Sequence, residues 1–554
     1  MTIRTRVGFV LLLAATAAAA GAGAAANGRR FLSDDPLPRE PESRDASGAR
    51  PEDIGLLYEL SYNLFVTASK ASTNTRAGNV NTIDEVPDSG WYTNRLLPAR
   101  PALADLVRGP NTGSPPNPER WTIIREKSSG YSPGFTAKDA DGQTWFLSFD
   151  TPGWEEGATG AMVVASKIFW ALGYNQVETF ITRVVPSHLV IDPGATVKRP
   201  NGKRTPMRQD DVDAVLERCA RGADGSYRAA AGRLLSGSVL GPFRYDGTRP
   251  DDPNDIVPHQ HRRELRALRV FGAWTNLSDL KAGNTLDTLV DAGGRKVVRH
   301  YLQDVGSTFG IGAQGPREWD DGFEYFYEGD ETLKRLATFG FALSPWQTAR
   351  YQVYPATGRV EAEAFDPLTW KPHTPTLAYI ELQPDDAFWA ARRVAAFDDD
   401  VVRALVHTGE FSDMRAEAHL AATIIARRDK VVRAYLPAVN PIVNPRLETS
   451  GAGAELNFDN AAVWTSAAPP PAGYHAAWFE FDNASGQTRP LGETSGAGLA
   501  LVAPRALPSS PGAIVQVNLA ADGSAPQAWQ KPVQIFFRRT TGGWTLVGLD
   551  RGDR

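Results

Sequence analysis

The chain has 554 residues, of which 42% are hydrophobic and 22% are charged, so it can form large cores and is not disordered as a whole. At roughly 150 residues per domain, this length predicts about two to four domains. The single cysteine, Cys219, excludes an internal disulfide framework and a cysteine-rich zinc site. With 59 Lys and Arg against 64 Asp and Glu, the net charge of −5 excludes the basic footprint of a nucleic-acid-binding protein.

The N-terminus has the pattern of a secretory signal peptide over residues 1–26. Two arginines precede the apolar run Val7–Ala20, and Ala24–Ala26 supplies small residues for cleavage. A membrane anchor is the alternative, but this run is short and rich in alanine. No later segment is long and apolar enough to span a bilayer, so we expect a mature periplasmic or secreted chain without a transmembrane segment. Residues 27–52 are charged and contain proline, which predicts a flexible leader.

We predict a small lobe over about residues 53–190, and this lobe begins with a helix near residues 54–69. Trp121–Glu126 and Gln143–Asp150 have the composition of strands. Thr159–Leu172 places apolar residues at helical spacing. The loop after the first strand contains Gly130 and Gly134, which could cover phosphate groups; an ordinary turn is the alternative.

Residues 191–446 predict a large, mostly helical lobe. A polar, Gly-rich stretch over 195–258 precedes a helix at His261–Asn276, whose apolar side chains face inward and whose arginines face outward. Three later helices are predicted at Asp385–Val394, Asp400–Val406 and Asp413–Tyr435. From residue 447 to 554, short alternating apolar runs separated by Gly, Pro, Ser and Asn predict a β-sandwich-like domain.

One short segment carries the residues for a defined chemistry. Two strand-like runs flank a Gly-Gly turn after residue 291, and antiparallel pairing about that turn places Asp304 beside Asn284. Asp279 lies five residues before Asn284, and Lys281 lies between them. Phosphoryl transfer needs such a set: a carboxylate to orient the attacking hydroxyl, a carboxylate and an amide oxygen for Mg²⁺, and a cation near the moving phosphoryl group.

This order and spacing resembles the protein-kinase superfamily, in which Asp is followed five residues later by Asn, then by a hairpin and Asp-x-Gly. The resemblance implies that Asp279 is the catalytic Asp, Lys281 the loop Lys, and Asn284 and Asp304 the metal ligands. The chain is most similar to exported bacterial proteins with an atypical, HipA-like kinase core. The resemblance implies an α+β core of two lobes that binds ATP and Mg²⁺ and acts on a protein or small-molecule substrate.

Two expected residues of the family are absent. The second strand of the small lobe has Ser148 where the family places the Lys that grips the nucleotide phosphates, and the following helix has Met162 near the place of its Glu partner. Lys127 or Lys138 could substitute for the missing Lys. A pseudokinase or scaffold that contacts a partner or the envelope is therefore the alternative function. A third is a structural secreted protein whose acidic residues bind only a cation.

A second polar cluster precedes the predicted helix at residue 261. Its members are Asp251, Asp252, Asp255, His259 and His261. A metal site is one interpretation, but a His-x-His pair at the start of a helix points its rings in different directions. A solvated surface is the interpretation that the sequence favours.

Overall fold

The computed structural model describes residues 30–552 except 128–131, 200, 342, 451–452 and 524. Helices and strands are both abundant and largely segregated into separate parts of the chain, so the predicted α+β class is confirmed. The order of elements follows that implied by the protein-kinase resemblance: a strand-rich first part, a helical second part and, after it, further sheets. The predicted signal peptide and Gly130 lie outside the described residues.

The helices predicted near residues 54–69, 159–172, 261–276, 385–394, 400–406 and 413–435 begin and end within about four residues of those positions, and the remaining helices are short. In chain order the helices are α1 (Leu56–Phe65), α2 (Leu103–Arg108), α3 (Gly157–Ala171), α4 (Gln209–Leu216), α5 (Arg263–Thr275), α6 (Gly329–Ala337), α7 (Pro345–Thr348), α8 (Leu377–Ile380), α9 (Pro384–Ala395), α10 (Asp399–His407), α11 (Met414–Tyr435), α12 (Ala461–Trp464) and α13 (Gln527–Gln530).

The strands before the C-terminal part are β1 (Trp121–Glu126), β2 (Gly134–Lys138), β3 (Thr144–Phe149), β4 (Thr179–Val184), β5 (Leu189–Lys198), β6 (Arg204–Pro206), β7 (Tyr227–Arg233), β8 (Ser238–Gly241), β9 (Thr285–Asp291), β10 (Lys296–Leu302), β11 (Ile311–Gly312) and β12 (Gly315–Pro316). Those of the C-terminal part are β13 (Ile442–Ser450), β14 (Gly453–Asn460), β15 (Tyr474–Phe481), β16 (Thr488–Gly496), β17 (Ala500–Val502), β18 (Ile514–Ala521), β19 (Val533–Thr540) and β20 (Gly543–Asp550).

The first sheet has seven strands in the order β4-β7-β3-β2-β1-β5-β6. Its buried face carries Trp121 and Trp145, both fully buried, and alternation along β1 directs successive side chains to opposite faces. The sheet extends past residue 190, the predicted end of the small lobe, because β5, β6 and β7 belong to it. Strand β7 is hard to predict from the sequence, because its middle is three alanines and a glycine rather than β-branched residues.

Helix α3 is fixed to this sheet by Asp150, the residue that follows β3. The buried Asp150 carboxylate accepts hydrogen bonds from the Thr159 N–H at 2.9 Å and from the Thr159 hydroxyl at 2.6 Å. It also accepts the Glu156 N–H at 3.0 Å, so it satisfies backbone donors at the start of the helix. These hydrogen bonds fix the start of α3, which faces the candidate site, relative to the sheet.

The helical part packs α5 between α9 and α11. The prediction that the arginines of α5 face outward is wrong, because Arg263 and Arg266 are fully buried. Arg263 Nε lies 2.9 Å from one oxygen of Asp386, and Arg266 Nη1 lies 2.9 Å from the other. Asp84 also contacts Arg263, at 2.8 Å. Burial of these guanidinium groups is tolerated because carboxylates from distant segments pair with them, which helical periodicity does not reveal.

The C-terminal part forms a three-stranded sheet, β13-β14-β17, and a five-stranded sheet, β16-β15-β18-β19-β20, with β13 packed against β20. It is joined closely to the helical part. Trp529 is fully buried and its Nε1–H donates to the Pro437 carbonyl at 3.0 Å. Near the end of the chain, Arg551 Nε lies 3.5 Å from Asp84. Residue 447 as the domain boundary remains a prediction from sequence.

Residues 30–52, which the sequence predicts to be part of a flexible leader, pack against the rest of the protein. Phe31 is 4% exposed, with its ring centroid 5.0 Å from that of Phe536. Ala46 and Ala49 are buried against Leu240 and Val298. The segment is held by a few small or single apolar residues, too sparse to give a periodic signal. Over the described residues, no helix is long and apolar enough to cross a bilayer.

Candidate active site

The candidate site begins where α5 ends. Asn276 follows the helix in the left-handed region, with φ of 55°, and so turns the chain away from the helix axis. Its side chain fixes the turn: Nδ2 donates to Asp321 at 3.0 Å, and Oδ1 accepts the Trp370 indole N–H at 2.8 Å. The loop that carries Asp279 therefore leaves a buried helix from a position held by hydrogen bonds on both sides.

Asp279 lies beside two cationic side chains. Lys281 Nζ is 2.8 Å from Asp279 Oδ2, and Arg317 Nη2 is 3.9 Å from the same oxygen. Burial raises the pKa of Asp279, but the charges of Lys281, His373 and Arg317 outweigh it and hold that pKa below its ordinary value. Asp279 is consequently an ionised carboxylate at neutral pH, partly exposed and able to accept a hydrogen bond from a hydroxyl group.

The hairpin β9–β10 brings Asp304 to Asn284, as the sequence predicts. Strand pairing joins Thr285 to Leu302, and just beyond it the Asp304 N–H donates to the Asn284 carbonyl at 3.0 Å. Asn284 Nδ2 in turn donates to the Asp279 carbonyl at 2.8 Å. One hydrogen-bonded path thus connects Asp279, Asn284 and Asp304, and it fixes the side-chain amide of Asn284 through its Nδ2.

The oxygen atoms present fit a hard divalent cation that is shared with phosphate. Asp304 is exposed, and only its Oδ1 accepts a backbone hydrogen bond, from Gly306 N at 3.1 Å. The side-chain oxygen of Asn284 is left for a ligand because its Nδ2 already donates. Mg²⁺ is usually held by one or two protein oxygen ligands together with phosphates and water, and this pair supplies such a set.

The structure places Lys127, but not Lys138, at the position of the missing lysine. Lys127 Nζ donates to Ser148 Oγ at 3.1 Å. Burial lowers the pKa of Lys127, and the negative charge of Asp304 acts in the opposite direction. Lys138 lies at the other end of β2 and is exposed. The ammonium group therefore reaches the place of the expected lysine from the end of β1.

Gly134 and Met162 shape the same cleft. A Cβ atom on Gly134 would lie 2.1 Å from the Leu147 carbonyl oxygen, so glycine is required there by the close approach of β2 to β3. Met162 on α3 lies against Gly306, where a Cβ would be 3.4 Å from Met162 Cε. A thioether thus occupies the helix position at which the resemblance implies a glutamate.

The second polar cluster is neither a solvated surface nor a group arranged for a metal. His259 is 2% exposed, with Nε2 2.7 Å from Asp255 and Nδ1 2.5 Å from the Arg244 carbonyl. Both ring nitrogens thus lie within hydrogen-bond distance of oxygen atoms of the protein, and the ring is part of the buried structure. Among the described residues, no group of three or more His, Cys, Asp or Glu side chains is arranged to hold a metal ion.

Sequence reasoning missed three residues near Asp279. Arg317 follows the small hairpin β11–β12, and His373, whose backbone N–H donates to the Ser278 carbonyl at 2.9 Å, comes from a distant loop. Glu59 comes from α1 and accepts the Ala282 N–H at 2.6 Å. No spacing pattern connects these positions. Only the Gly-rich run before Arg317 could have drawn attention to that residue.

Solved structures similar to this chain include two of the Golgi casein kinase. One, a crystal structure of the Golgi casein kinase, has a TM-score of 0.32 and 9% sequence identity and covers 73% of this chain and 95% of that chain. The other, a crystal structure of the Golgi casein kinase with Mn/ADP bound, has a TM-score of 0.30 and 10% identity and covers 72% and 94%. No known family matches the sequence, and no curated protein is similar to it in sequence.

Proposed function

We propose that this protein is an exported, kinase-like phosphotransferase that uses ATP and Mg²⁺. The observation that carries the proposal is the hydrogen-bonded path from Asp279 through Asn284 to Asp304, with Lys281 beside the first carboxylate. Catalysis of phosphoryl transfer consists mainly of positioning and electrostatic stabilisation. A proton acceptor, two oxygen ligands and a cation in one rigid arrangement are the parts that this reaction requires.

Asp279 orients the acceptor hydroxyl and takes its proton. As the bond between the acceptor oxygen and the γ-phosphorus forms, the bond from that phosphorus to the β–γ bridging oxygen breaks, and ADP leaves with the electron pair. Lys281 neutralises part of the charge that accumulates on the transferred group. Asn284 and Asp304 would hold Mg²⁺, which when bound neutralises phosphate charge.

Lys127 supplies the cation on the opposite side of the nucleotide. Its ammonium group is anchored by Ser148 and faces the charge of Asp304. An ammonium is a compact donor to phosphate oxygens, whichever strand carries it. Gly134 lies beside Lys127, where a Cβ would be 3.5 Å from Lys127 Cδ. We propose that Gly134 and Gly130 cover the phosphates.

A pseudokinase or scaffold is the second candidate, and Met162 is the observation that favours it. A methionine on α3 cannot pair with a lysine, so the ion pair expected in active members of the family is absent. Export to the periplasm or outside the cell, similarity to HipA-like proteins, and a protein or small-molecule acceptor are proposals that rest on the sequence. A compartment without an ATP pool would also favour the scaffold.

The test uses the chain from residue 27 onward, purified in the presence of a chelator and then dialysed. Thermal unfolding is measured with ATP or ADP, with and without Mg²⁺ or Mn²⁺, and ADP production and phosphorylation of the protein itself are followed in parallel. Asp304→Asn removes a proposed ligand, and Asp279→Asn removes the proposed base. Asp291→Asn, at the exposed hairpin turn, is the matched control.

The proposal expects a metal-dependent rise in melting temperature with ATP that Asp304→Asn abolishes, and phosphoryl transfer that Asp279→Asn abolishes while nucleotide binding remains. Metal-dependent binding without any turnover identifies the pseudokinase. A shift with the metal alone and none with nucleotide supports the cation-binding structural protein. The absence of any shift at millimolar nucleotide refutes the phosphotransferase and leaves the scaffold as the favoured candidate.

A further inference from the structure

Helix α1 is docked on the loop that carries Asp279 and Lys281. Glu59 Oε1 accepts the backbone N–H of Ala282 at 2.6 Å. Next to it, a Cβ atom on Gly283 would lie only 2.6 Å from Leu56 Cδ2, so the absence of a side chain at Gly283 lets the helix approach. Leu56 and Glu59 are three residues apart and therefore share one face of α1.

The docking contact is electrostatic as well as steric. Burial raises the pKa of Glu59, while the hydrogen bond from the Ala282 N–H and the charge of Lys281 act in the opposite direction. Asp279 and Glu59 both raise the pKa of the buried Tyr245, although its own burial is the larger cause. Lys281 thus interacts with both carboxylates: its ammonium group lies 2.8 Å from Asp279, and its charge acts to lower the pKa of Glu59.

The rest of α1 makes little contact with the protein. Leu57 is 76% exposed and Tyr58 is 65% exposed, and among the ten residues of the helix only Asn63 is buried. A helix of this length is marginal in water without packing. Its orientation consequently depends on a few contacts, and those of Leu56 and Glu59 lead to the backbone between Lys281 and Asn284.

We propose that Glu59 is a positioning residue: by accepting the Ala282 N–H, it fixes the backbone between the proposed base and the proposed metal ligand Asn284. The proposal rests on the proposed function for the roles of Asp279 and Lys281. Helix α1, from the N-terminal part of the chain, is thereby one of the elements that support the site. Glu59 does not touch the reacting atoms and acts through the loop.

The experiment compares Glu59→Ala with Glu59→Gln. Alanine removes the acceptor and has a higher helix propensity than glutamate, so α1 itself is not weakened. Glutamine keeps an acceptor oxygen at the same reach. Ser61→Ala, at an exposed position of the same helix, is the control. Hydrogen exchange of the Ala282 amide is measured first, and kcat and the KM for ATP are measured separately.

We expect the Ala282 amide of Glu59→Ala to exchange about tenfold faster or more, since a hydrogen bond to a charged group contributes about 1.5–3 kcal/mol. We expect kcat to fall by about the same factor with the KM for ATP unchanged, and Glu59→Gln to retain most of both properties. Unchanged exchange in Glu59→Ala overturns the proposal, and so does faster exchange with full kcat. If the wild type transfers no phosphate, the proposed function has failed, and the exchange rates alone then decide whether Glu59 fixes the loop.

Discussion

Lys127 Nζ lies 3.1 Å from Ser148 Oγ, so the ammonium group of one strand end occupies the space beside a serine of another strand. The two residues are connected through the sheet, because β1 pairs with β2 and β2 pairs with β3. Ser148 is small enough to leave room for the lysine and supplies an acceptor for it. An ammonium group therefore lies beside the position of β3 at which the protein-kinase resemblance implies a lysine.

From this contact we predict that a lysine at position 148 of β3 can replace Lys127. Lys127→Met should lower the affinity for ATP and Mg²⁺ by about tenfold or more, the amount expected for loss of one charge-assisted hydrogen bond. The double variant Lys127→Ser with Ser148→Lys returns the ammonium to β3 and should recover a large part of that loss. Isothermal titration calorimetry with ADP and Mg²⁺ measures both effects.

Lys138→Met is the matched control for these variants, because Lys138 is an exposed lysine at the far end of β2. It should bind nucleotide as the wild type does. An affinity of Lys127→Met equal to that of the wild type would show that Lys127 does not contact the phosphates. Equal losses in Lys127→Met and Lys138→Met would point to a general charge effect.

Acid should destabilise the protein through Asp84. Although burial raises the pKa of this carboxyl, Arg263, Arg551 and Arg76 lower it from 3.8 to about 2. A depressed folded-state pKa contributes stability that is complete above about pH 4 and is lost as the pH falls towards 2. The contribution is about 2 kcal/mol. Urea unfolding between pH 7 and pH 2 measures this slope.

Asp84→Asn should lower the free energy of unfolding at pH 7 by about 3 kcal/mol, because it removes a negative charge that pairs with the buried Arg263 and Arg551. It should also make the acid dependence between pH 4 and pH 2 shallower. Asp400→Asn, whose carboxylate is 89% exposed, should change neither quantity by more than about 0.5 kcal/mol. An unchanged slope in Asp84→Asn would contradict the assignment.

Gly134→Ala should destabilise the first sheet by about 1–3 kcal/mol or more, since the added methyl would overlap the Leu147 carbonyl oxygen. Gly48→Ala is the control, because no atom lies within 4 Å of a Cβ built there. Chemical denaturation of the two variants measures the difference. Similar stabilities for both would show that β2 and β3 separate without cost.

Cys219 should be unreactive in the folded protein. Burial raises the pKa of its thiol to about 12, the side chain is 4% exposed, and Sγ donates to the Val215 carbonyl at 3.2 Å. The thiolate is the reactive form. At pH 8, iodoacetamide should add one carbamidomethyl group rapidly in urea and very slowly without it, as followed by mass spectrometry. Rapid labelling of the folded chain would show that the turn after α4, which carries Cys219, opens readily.

The sequence predicts the local arrangement of the site because its parts are close together in the chain. Asn284 and Asp304 flank one hairpin, whose register follows from a Gly-Gly turn and two apolar strands. The helices of the second part follow from long periodic patterns. These features depend on neighbours within about thirty residues, where pattern and geometry are tightly linked.

The features that the sequence does not reveal all depend on distant partners. The arginines of α5 have the polar character of a solvated face and are buried because Asp84 and Asp386 reach them from other segments. Asp279 interacts electrostatically with Arg317, His373 and Glu59, which are separated from it in the sequence by segments of very different length. Tertiary pairing of charges is decided by the assembled fold, so residue type and spacing along the chain carry no signal for it.

The position of Phe31 determines when, during synthesis of the chain, the N-terminal segment can become buried. Its N–H donates to Asn483 Oδ1, across 452 residues of sequence, and its ring packs against strands near the end of the chain. Phe31 is one of the first described residues to leave the ribosome. It therefore stays uncovered until some of the last described residues have been made. Contacts so distant in sequence close late in folding. The N-terminal segment is therefore fixed in place only after β15 and β19, the strands that carry Phe481 and Phe536, have been made.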